Sequence, residues 1–344
     1  MKKVFYPLVG LCISVSALFA QEDTTKSKIV ELEAKIEELK GSLEGMNESY
    51  LETKSTVDAL KKIKVSGYIQ SQFQSAQNDG AASFAGGNFG AGIHNRILVR
   101  RGRLKVAYDA DVTQYVLQID ATEKGLGLKD AYVLARDPWL RTFALKAGVF
   151  DRPFGFEISY SSSMRESPER SRMFQTLFPG ERDLGMSLEI APPEEMGFLN
   201  HFNFKGGMFV GNGIAVETDN QKDFIGRFGF TLPFYEENLA IDGGVSMYMG
   251  KVKKALDKKF YTVDSPTKAT LSADSSIAAW ADRNYIGADL QIYYSLPVLG
   301  GFTLRGEFIT GKQPGGKSAS GSPTAAITSD LYLRNFMGYY FMYV

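Results

Sequence analysis

Residues 284–296 read NYIGADLQIYYSL. In an extended chain Ile286, Ala288, Leu290, Ile292 and Tyr294 share one face, and Asp289, Gln291, Tyr293 and Ser295 share the other. A period of two, with one oily and one wet side, marks a half-buried β-strand. The pattern recurs in 65–75, 96–108, 113–121, 128–135, 143–150, 184–190, 202–210, 222–232, 238–250, 301–311 and 330–344, giving about twelve strands separated by Gly, Asp, Asn and Pro turns. In 65–75 the wet row is Tyr68, Gln70, Gln72 and Gln74; in 222–232 Phe224, Phe228, Phe230 and Leu232 point one way and Ile225, Arg227 and Thr231 the other. A closed barrel puts such strands through lipid with every backbone N–H and C=O paired. A soluble β-sandwich alternates in the same way, so what surrounds the strands decides between them.

Two features outside the strands favour the barrel. Residues 1–20 begin with Lys2 and Lys3, run apolar from Val4 to Phe19 and end on the small residues Ala17 and Ala20, which reads as a secretory signal cleaved after Ala20. The composition is rich in 24 Phe, 17 Tyr and 35 Gly, as aromatic girdles and bending strands require. The one cysteine, Cys12, lies inside the signal, so disulfides and thiol chemistry drop out of the mature chain. The 39 basic and 39 acidic residues balance, and nothing in that balance calls for nucleic acid.

Between signal and strands, Ile29, Leu32, Ile36, Leu39, Leu43, Met46, Tyr50, Val57 and Leu60 follow a three-four spacing, with Thr53 the one polar member. That spacing predicts a coiled-coil helix over 21–62. Mixed Ile and Leu at the core positions does not select two strands, and three are compatible. The other reading is a monomeric helix lying on the rim of the barrel. As a helix of about 35 residues the segment would reach about 50 Å at 1.5 Å per residue, long enough to tether the membrane to the periplasm or cell wall.

Connections between the strands alternate in length: 232–237 and 296–301 are short, whereas 76–95, 151–183, 251–283 and 312–329 are long. The short ones are expected on the periplasmic side, and 312–329, small and polar, as an exposed loop. Segment 151–183, DRPFGFEISYSSSMRESPERSRMFQTLFPGERD, is too long for a plain connection and is expected to fold into the pore.

Basic residues in phase define the candidate lining. Arg101, Arg103 and Lys105 fall on one face, with Leu98, Arg100, Gly102 and Leu104 on the other. A charge at the bilayer midplane costs about 2–4 kcal/mol, so the three bases belong to the lumen. Lys146 and Arg152 fall on the inner face of the following stretch, opposite Phe143, Leu145, Ala147 and Val149, and Arg227 on the inner face of 222–232. The long segment adds Arg165, Arg170, Arg172 and Arg182 among Asp151, Glu157, Glu166, Glu169, Glu181 and Asp183. These arginines either meet a passing anion or bond the loop's own carboxylates and the wall.

Enzymatic readings fare worse. Asp109, Asp111, Asp120 and Asp130 fit no calcium-loop spacing and are read as turn residues or partners of lumen arginines. His94 and His201 stand on distant segments, without ligand spacing and without a Ser/His/Asp set. No catalysis, cofactor or metal is expected.

The strings GYIQSQFQ (67–74), RRGRLK (100–105), QIDA (118–121), LKDAYV (128–133), AGVFDRPFGFE (147–157), ERS (169–171), RDLG (182–185) and RNFMGYY (334–340) occur in this order, and residues 64–344 resemble the phosphate-selective porin O/P family. The resemblance implies a homotrimeric outer-membrane porin with a sixteen-stranded barrel, a third loop folded into the pore, and Arg and Lys residues leading anions such as phosphate to an eyelet. The chain departs from the family in two ways. RNFMGYYFMYV is more like an interior strand of the family than its last one, so a C-terminal piece is expected beyond Val344. Without Lys2 and Lys3 the chain has two fewer basic than acidic residues, which argues for a general rather than a strongly phosphate-selective anion path.

Overall fold

The chain divides into two compact units, Met1–Lys62 and Ile63–Val344. The computed structural model describes residues 5–296, 298, 300–318, 321–323 and 327–344, with the backbone alone over 5–25. Lys2, Lys3 and the side chains through Ala20, on which the signal reading rests, lie outside the described residues.

The first unit is one helix, α1 (Phe5–Lys61). From Ile29 to Leu60 its apolar seam is open to solvent, each residue being between 43% and 68% exposed. Gly41 and Gly45 lie within the helix with nothing near them. Among the described residues no helix is long and apolar enough to cross a membrane.

The second unit is a single sheet of fourteen strands: β1 (Ile63–Ser75), β2 (Asn95–Ala110), β3 (Thr113–Thr122), β4 (Gly125–Arg136), β5 (Phe143–Asp151), β6 (Arg182–Ile190), β7 (Phe202–Phe209), β8 (Asp223–Phe234), β9 (Leu239–Lys253), β10 (Phe260–Ser265), β11 (Lys268–Ala273), β12 (Trp280–Leu296), β13 (Gly300–Gly315) and β14 (Leu331–Tyr343). A short helix, α2 (Arg172–Leu177), lies between β5 and β6. Every expected strand is present. The count of twelve is corrected to fourteen, because the 251–283 segment carries the hairpin β10–β11 rather than a plain loop.

Neighbouring strands pair antiparallel in the order β1 through β9, then β12, β13, β14, β10 and β11. The exception is β10, which lies parallel to Leu331–Arg334 of β14. Strands β1 and β11 are the two ends, so the expected closed barrel is present as an open sheet. At that end of β14 the edge is taken by the hairpin instead of by β1, with Tyr261 stacked on Tyr332 at 4.8 Å. The expectation of an exposed loop over 312–329 holds at 317–318, 321 and 328–329 and is corrected elsewhere among the described residues. Lys312–Gly315 continue β13, Gln313 is buried, and Ser322 N–H donates to Thr176 O at 2.8 Å.

The faces of the sheet are inverted relative to a water-soluble fold. Ile69, Phe73, Ile97, Leu145, Ile286, Met337 and Phe341 lie open on one side. On the other side Arg101, Arg103, Asp130, Arg283, Asp289, Arg305 and Glu307 are buried. The segment 152–181 touches Tyr68 of β1, Arg101 of β2, Ser246 of β9, Glu307 of β13 and Tyr340 of β14. One segment can meet strands from β1 across to β14 only if the sheet curls around it, which makes the charged side the inner one.

Candidate pore lining and its constriction loop

The segment between β5 and β6 is fixed first at its neck. Arg152 Nε donates to Asp183 Oδ2 at 3.0 Å, both side chains almost wholly buried. Next comes a turn with three successive amides that find acceptors on the wall: Gly155 N–H donates to Ser246 Oγ at 2.9 Å, and Phe156 and Glu157 N–H to the two oxygens of Glu307, each at 2.8 Å. Tyr340 O–H donates to the same carboxylate at 2.6 Å. Gly155 has φ +63, and a Cβ there would collide with Glu307 Oε2 and Phe174; only glycine both adopts that backbone and lets the turn approach so closely.

The loop then folds back on itself. Glu157 accepts from Ser171 N–H and O–H, and Ser171 caps α2 by accepting from Phe174 N–H. Arg170 donates to the carbonyls of Glu157 and Ile158 at 2.8 and 2.7 Å and pairs with Glu181. Phe154, Ile158, Phe174, Leu177 and Phe178 form an apolar core with Phe150, Phe209, Ile225, Tyr248, Tyr285 and Ile309 of the wall. Each such side chain contributes about 1.5–3 kcal/mol on burial. The expected infolded loop is therefore present, and it rests on an aromatic core.

Its opposite flank is ionic. Glu166 receives Arg305 at 2.7 Å, and that guanidinium also lies 4.7 Å from the Tyr160 ring centroid. Glu169 receives Arg100 at 2.5 and 2.8 Å and Arg101 at 3.2 Å, while Arg101 also donates to Pro168 O and Gln70 Oε1. Arg103 faces Asp120 at 3.6 Å and Arg182 bonds Asp130 at 3.0 Å. Glu181 is gripped by Arg170, Arg182 and Lys129. Burial opposes its charge, but Lys129, Arg170, Arg182 and Arg103 overcome that and hold the carboxyl well below the usual range. Arg165 has no hydrogen-bond partner for any of its three nitrogens, all buried. Burial, then Arg170 and Arg101 beside it, push its guanidinium down to about 10, so it remains charged at neutral pH. Around this flank Arg100, Arg101, Arg103, Lys129, Arg165, Arg170, Arg182 and Arg305 outnumber Asp120, Asp130, Glu157, Glu166, Glu169 and Glu181.

A second polar tier lies along β5 to β8. Lys146 pairs with Glu189, and Arg227 with Asp289 at 2.6 Å. Lys146, Glu189 and Arg227, with Lys205, Ser187, Asn203 and Gly155, border a cavity of about 60 Å³.

Several expectations need correction. Arg100 and Leu98 do not share the outer face with Leu104: β2 carries a bulge, with Arg101 opposite Gln70 and Val99 opposite Ser71, so Arg100 is the extra residue and turns inward. Arg152 and Arg170 are closed to solvent and spent on holding the loop. Arg172 is exposed and stacks on Phe84 at 4.4 Å, apart from the arginine cluster. Lys129 and Arg305 were not singled out by alternation. Lys129 is itself the extra residue of a bulge in β4, with Asp130 opposite Gln118 and Leu128 opposite Ile119, while Arg305 sits in phase with Glu307 on a strand the alternation did recover. Of the acidic set, Asp120 and Asp130 pair with arginines, and Asp109 with Lys64. His94 meets Asp79 and His201 packs on Phe198. No metal-holding group of His, Cys, Asp or Glu occurs among the described residues.

What these features define is a curled all-β wall with an apolar outside, a charged inside and an infolded loop. No family model matches the chain, so the resemblance to the phosphate-selective porin O/P family rests on the short strings alone. No curated protein matches it either. Among solved structures, the high-pH structure of OprB, an outer-membrane porin of Pseudomonas putida, is similar over 75% of this chain and 73% of that chain, at 9% identity and a TM-score of 0.44. A likeness at that level bears on no statement about function.

Proposed function

We propose that this chain is an outer-membrane porin that lets small solutes diffuse through its lumen, with a preference for anions such as phosphate. The inverted burial carries the reading. Apolar side chains crowd the open face of nearly every strand while charges are buried on the inner one, an arrangement stable against lipid and costly in water. The surplus of bases on the β2–β4 side of the infolded loop supports the anion preference, since cations on a narrow, partly desolvated wall attract anions more strongly than in bulk water. The test is single-channel current of the purified protein in planar bilayers with a salt gradient. Stepwise currents whose reversal potential lies on the anion side are expected; absence of channels, or a cation-side reversal, rejects the reading.

The exposed seam of α1 supports assembly as a homotrimer, with the helix in the periplasm. A stripe so long and apolar is stable when it meets copies of itself. Replacing Ile36 and Leu39 with Asp puts two charges into each copy's seam and forfeits about 1.5–3 kcal/mol of burial per side chain. The trimer fraction of the detergent-solubilised protein should fall at least several-fold in sedimentation; an unchanged distribution assigns assembly to the barrel wall. A tether from the barrel to the cell wall is the alternative use of the same helix, and it is compatible with a porin.

A further inference from the structure

We infer that Glu169 is a built-in occupant of the anion path, a displaceable carboxylate that holds Arg100 and Arg101 until a passing oxyanion takes its place. The inference rests on the porin reading and adds a selectivity-determining residue to it.

Three observations carry it. The first is the grip. Both oxygens of Glu169 are held, by Arg100 Nε at 2.5 Å and Nη2 at 2.8 Å and by Arg101 Nη2 at 3.2 Å. Two parallel N–H donors on a planar pair of oxygens is the geometry in which a guanidinium binds a free carboxylate or a phosphate edge. The second is charge. One carboxylate serves two adjacent guanidiniums, and the Arg165 guanidinium, which acts electrostatically on Arg101's neighbourhood, has no hydrogen-bond partner. With Glu169 in place the site therefore still carries more positive than negative charge.

The third observation is that the loop does not depend on Glu169 to stay in place. Its neck is the Arg152–Asp183 pair, its turn is held by Ser246 and Glu307, and its core is aromatic. Glu157 and Glu181 fold the loop from within, through Ser171, Arg170 and Arg182. Glu169 faces outward from that framework onto the wall. The exposures sort the pairs: Glu169 and Arg100 retain 14% and 25% of their side-chain surface and Arg101, behind Glu169, 4%, against 0% and 2% for Asp183 and Arg152. An ion in the lumen can reach Glu169 and Arg100 directly, and Arg101 only as Glu169 leaves it.

The experiment is chloride current through Glu169→Gln and wild-type barrels, with inorganic phosphate added as blocker. Freed of the competing carboxylate, Glu169→Gln should be half-blocked at about tenfold lower phosphate, the scale of one lost charge-assisted contact, and its reversal potential should move further to the anion side. Unchanged block and reversal overturn the inference. So does a rise in current without tighter block, which marks a loosened loop, and so does lost anion preference, which marks Glu169 as a residue that merely orients the arginines. A wild-type barrel that passes no current removes the porin reading and this inference with it, whereas a conducting, anion-selective wild type with an unaffected variant removes this inference alone. Should Glu169→Gln not insert, a crystal structure of the wild type in high sulfate decides: sulfate on Arg100 and Arg101 with Glu169 turned away supports displacement, and Glu169 still bound to both overturns it.

Discussion

Changing Arg101 and Arg103 together to Gln is expected to swing the reversal potential toward cations while leaving the wall folded. Both side chains point away from the apolar face, so no lipid contact is lost, and Gln keeps an amide donor toward Gln70 and Pro168 O. The carboxylates they neutralise stay behind: Glu169 keeps only Arg100, and Asp120 loses the guanidinium 3.6 Å away. The local charge thus changes by two and exposes two acids, in a site where the interaction per charge exceeds its value in bulk water. Reversal potentials at several salt concentrations check the cause. The shift should be largest at about 0.1 M, where the Debye length is about 10 Å, and small at about 1 M, where it is about 3 Å. An unchanged reversal potential at low salt assigns selectivity to the Arg165–Arg182 segment instead.

For stability the largest loss is expected at Asp223. Its carboxylate takes the Arg283 guanidinium, Tyr248 O–H at 2.6 Å and Lys251 N–H at 3.2 Å, and both members of the ion pair are buried. Arg283 also donates to Gly211 O at 3.0 Å and Ser322 Oγ at 3.1 Å, joining two connections to the wall. Asp223→Asn keeps the shape but leaves a buried guanidinium without a counter-charge, a change that costs about 3–5 kcal/mol. Removing both charges, with Arg283→Gln added, should cost less than the single change. Urea titration of the folded barrel reads both variants. For comparison, Glu31→Gln on the exposed Lys35–Glu31 pair of α1 should cost at most about 1 kcal/mol. A loss below that figure at Asp223 would mean that water reaches the pair.

The positions of the strands and most of their facing were legible because a wall with one apolar and one charged side imposes a period of two. NYIGADLQIYYSL shows it without interruption, and its outer and inner residues lie where the period puts them. The infolded loop was legible from length alone. Its mode of attachment was not, because the aromatic core joins Phe154, Phe174 and Phe178 to residues as distant in sequence as Tyr285 and Ile309. No local pattern encodes that closeness. The hairpin β10–β11 was missed for a related reason: FYTVDS and KATLSA, joined by Pro266 and Thr267, are short and polar, and what holds them is the edge of β14 and the Tyr261–Tyr332 stack. Arg100 was misplaced because alternation counts residues, and a bulge adds one without any signal in composition.

That miscounted residue has a consequence for transport. A regular strand offers an inward side chain every second position, so a solute following the wall meets footholds about 7 Å apart. At Arg100 and Arg101 two guanidiniums leave the wall within one residue's rise, about 3.5 Å. The bulge in β4 sets Lys129 beside Asp130, opposite in sign and already committed to Glu181 and Arg182. Of these two bulges only the first would therefore act, on the porin reading, as a landing on the staircase, where an anion could take hold of the second hand before releasing the first. Two cations so close would both widen and deepen an anion's energy well, and Glu169 seated on them makes it shallower. Wide, shallow wells gather solute near the wall and still let it go, which is the condition for high throughput in a narrow passage.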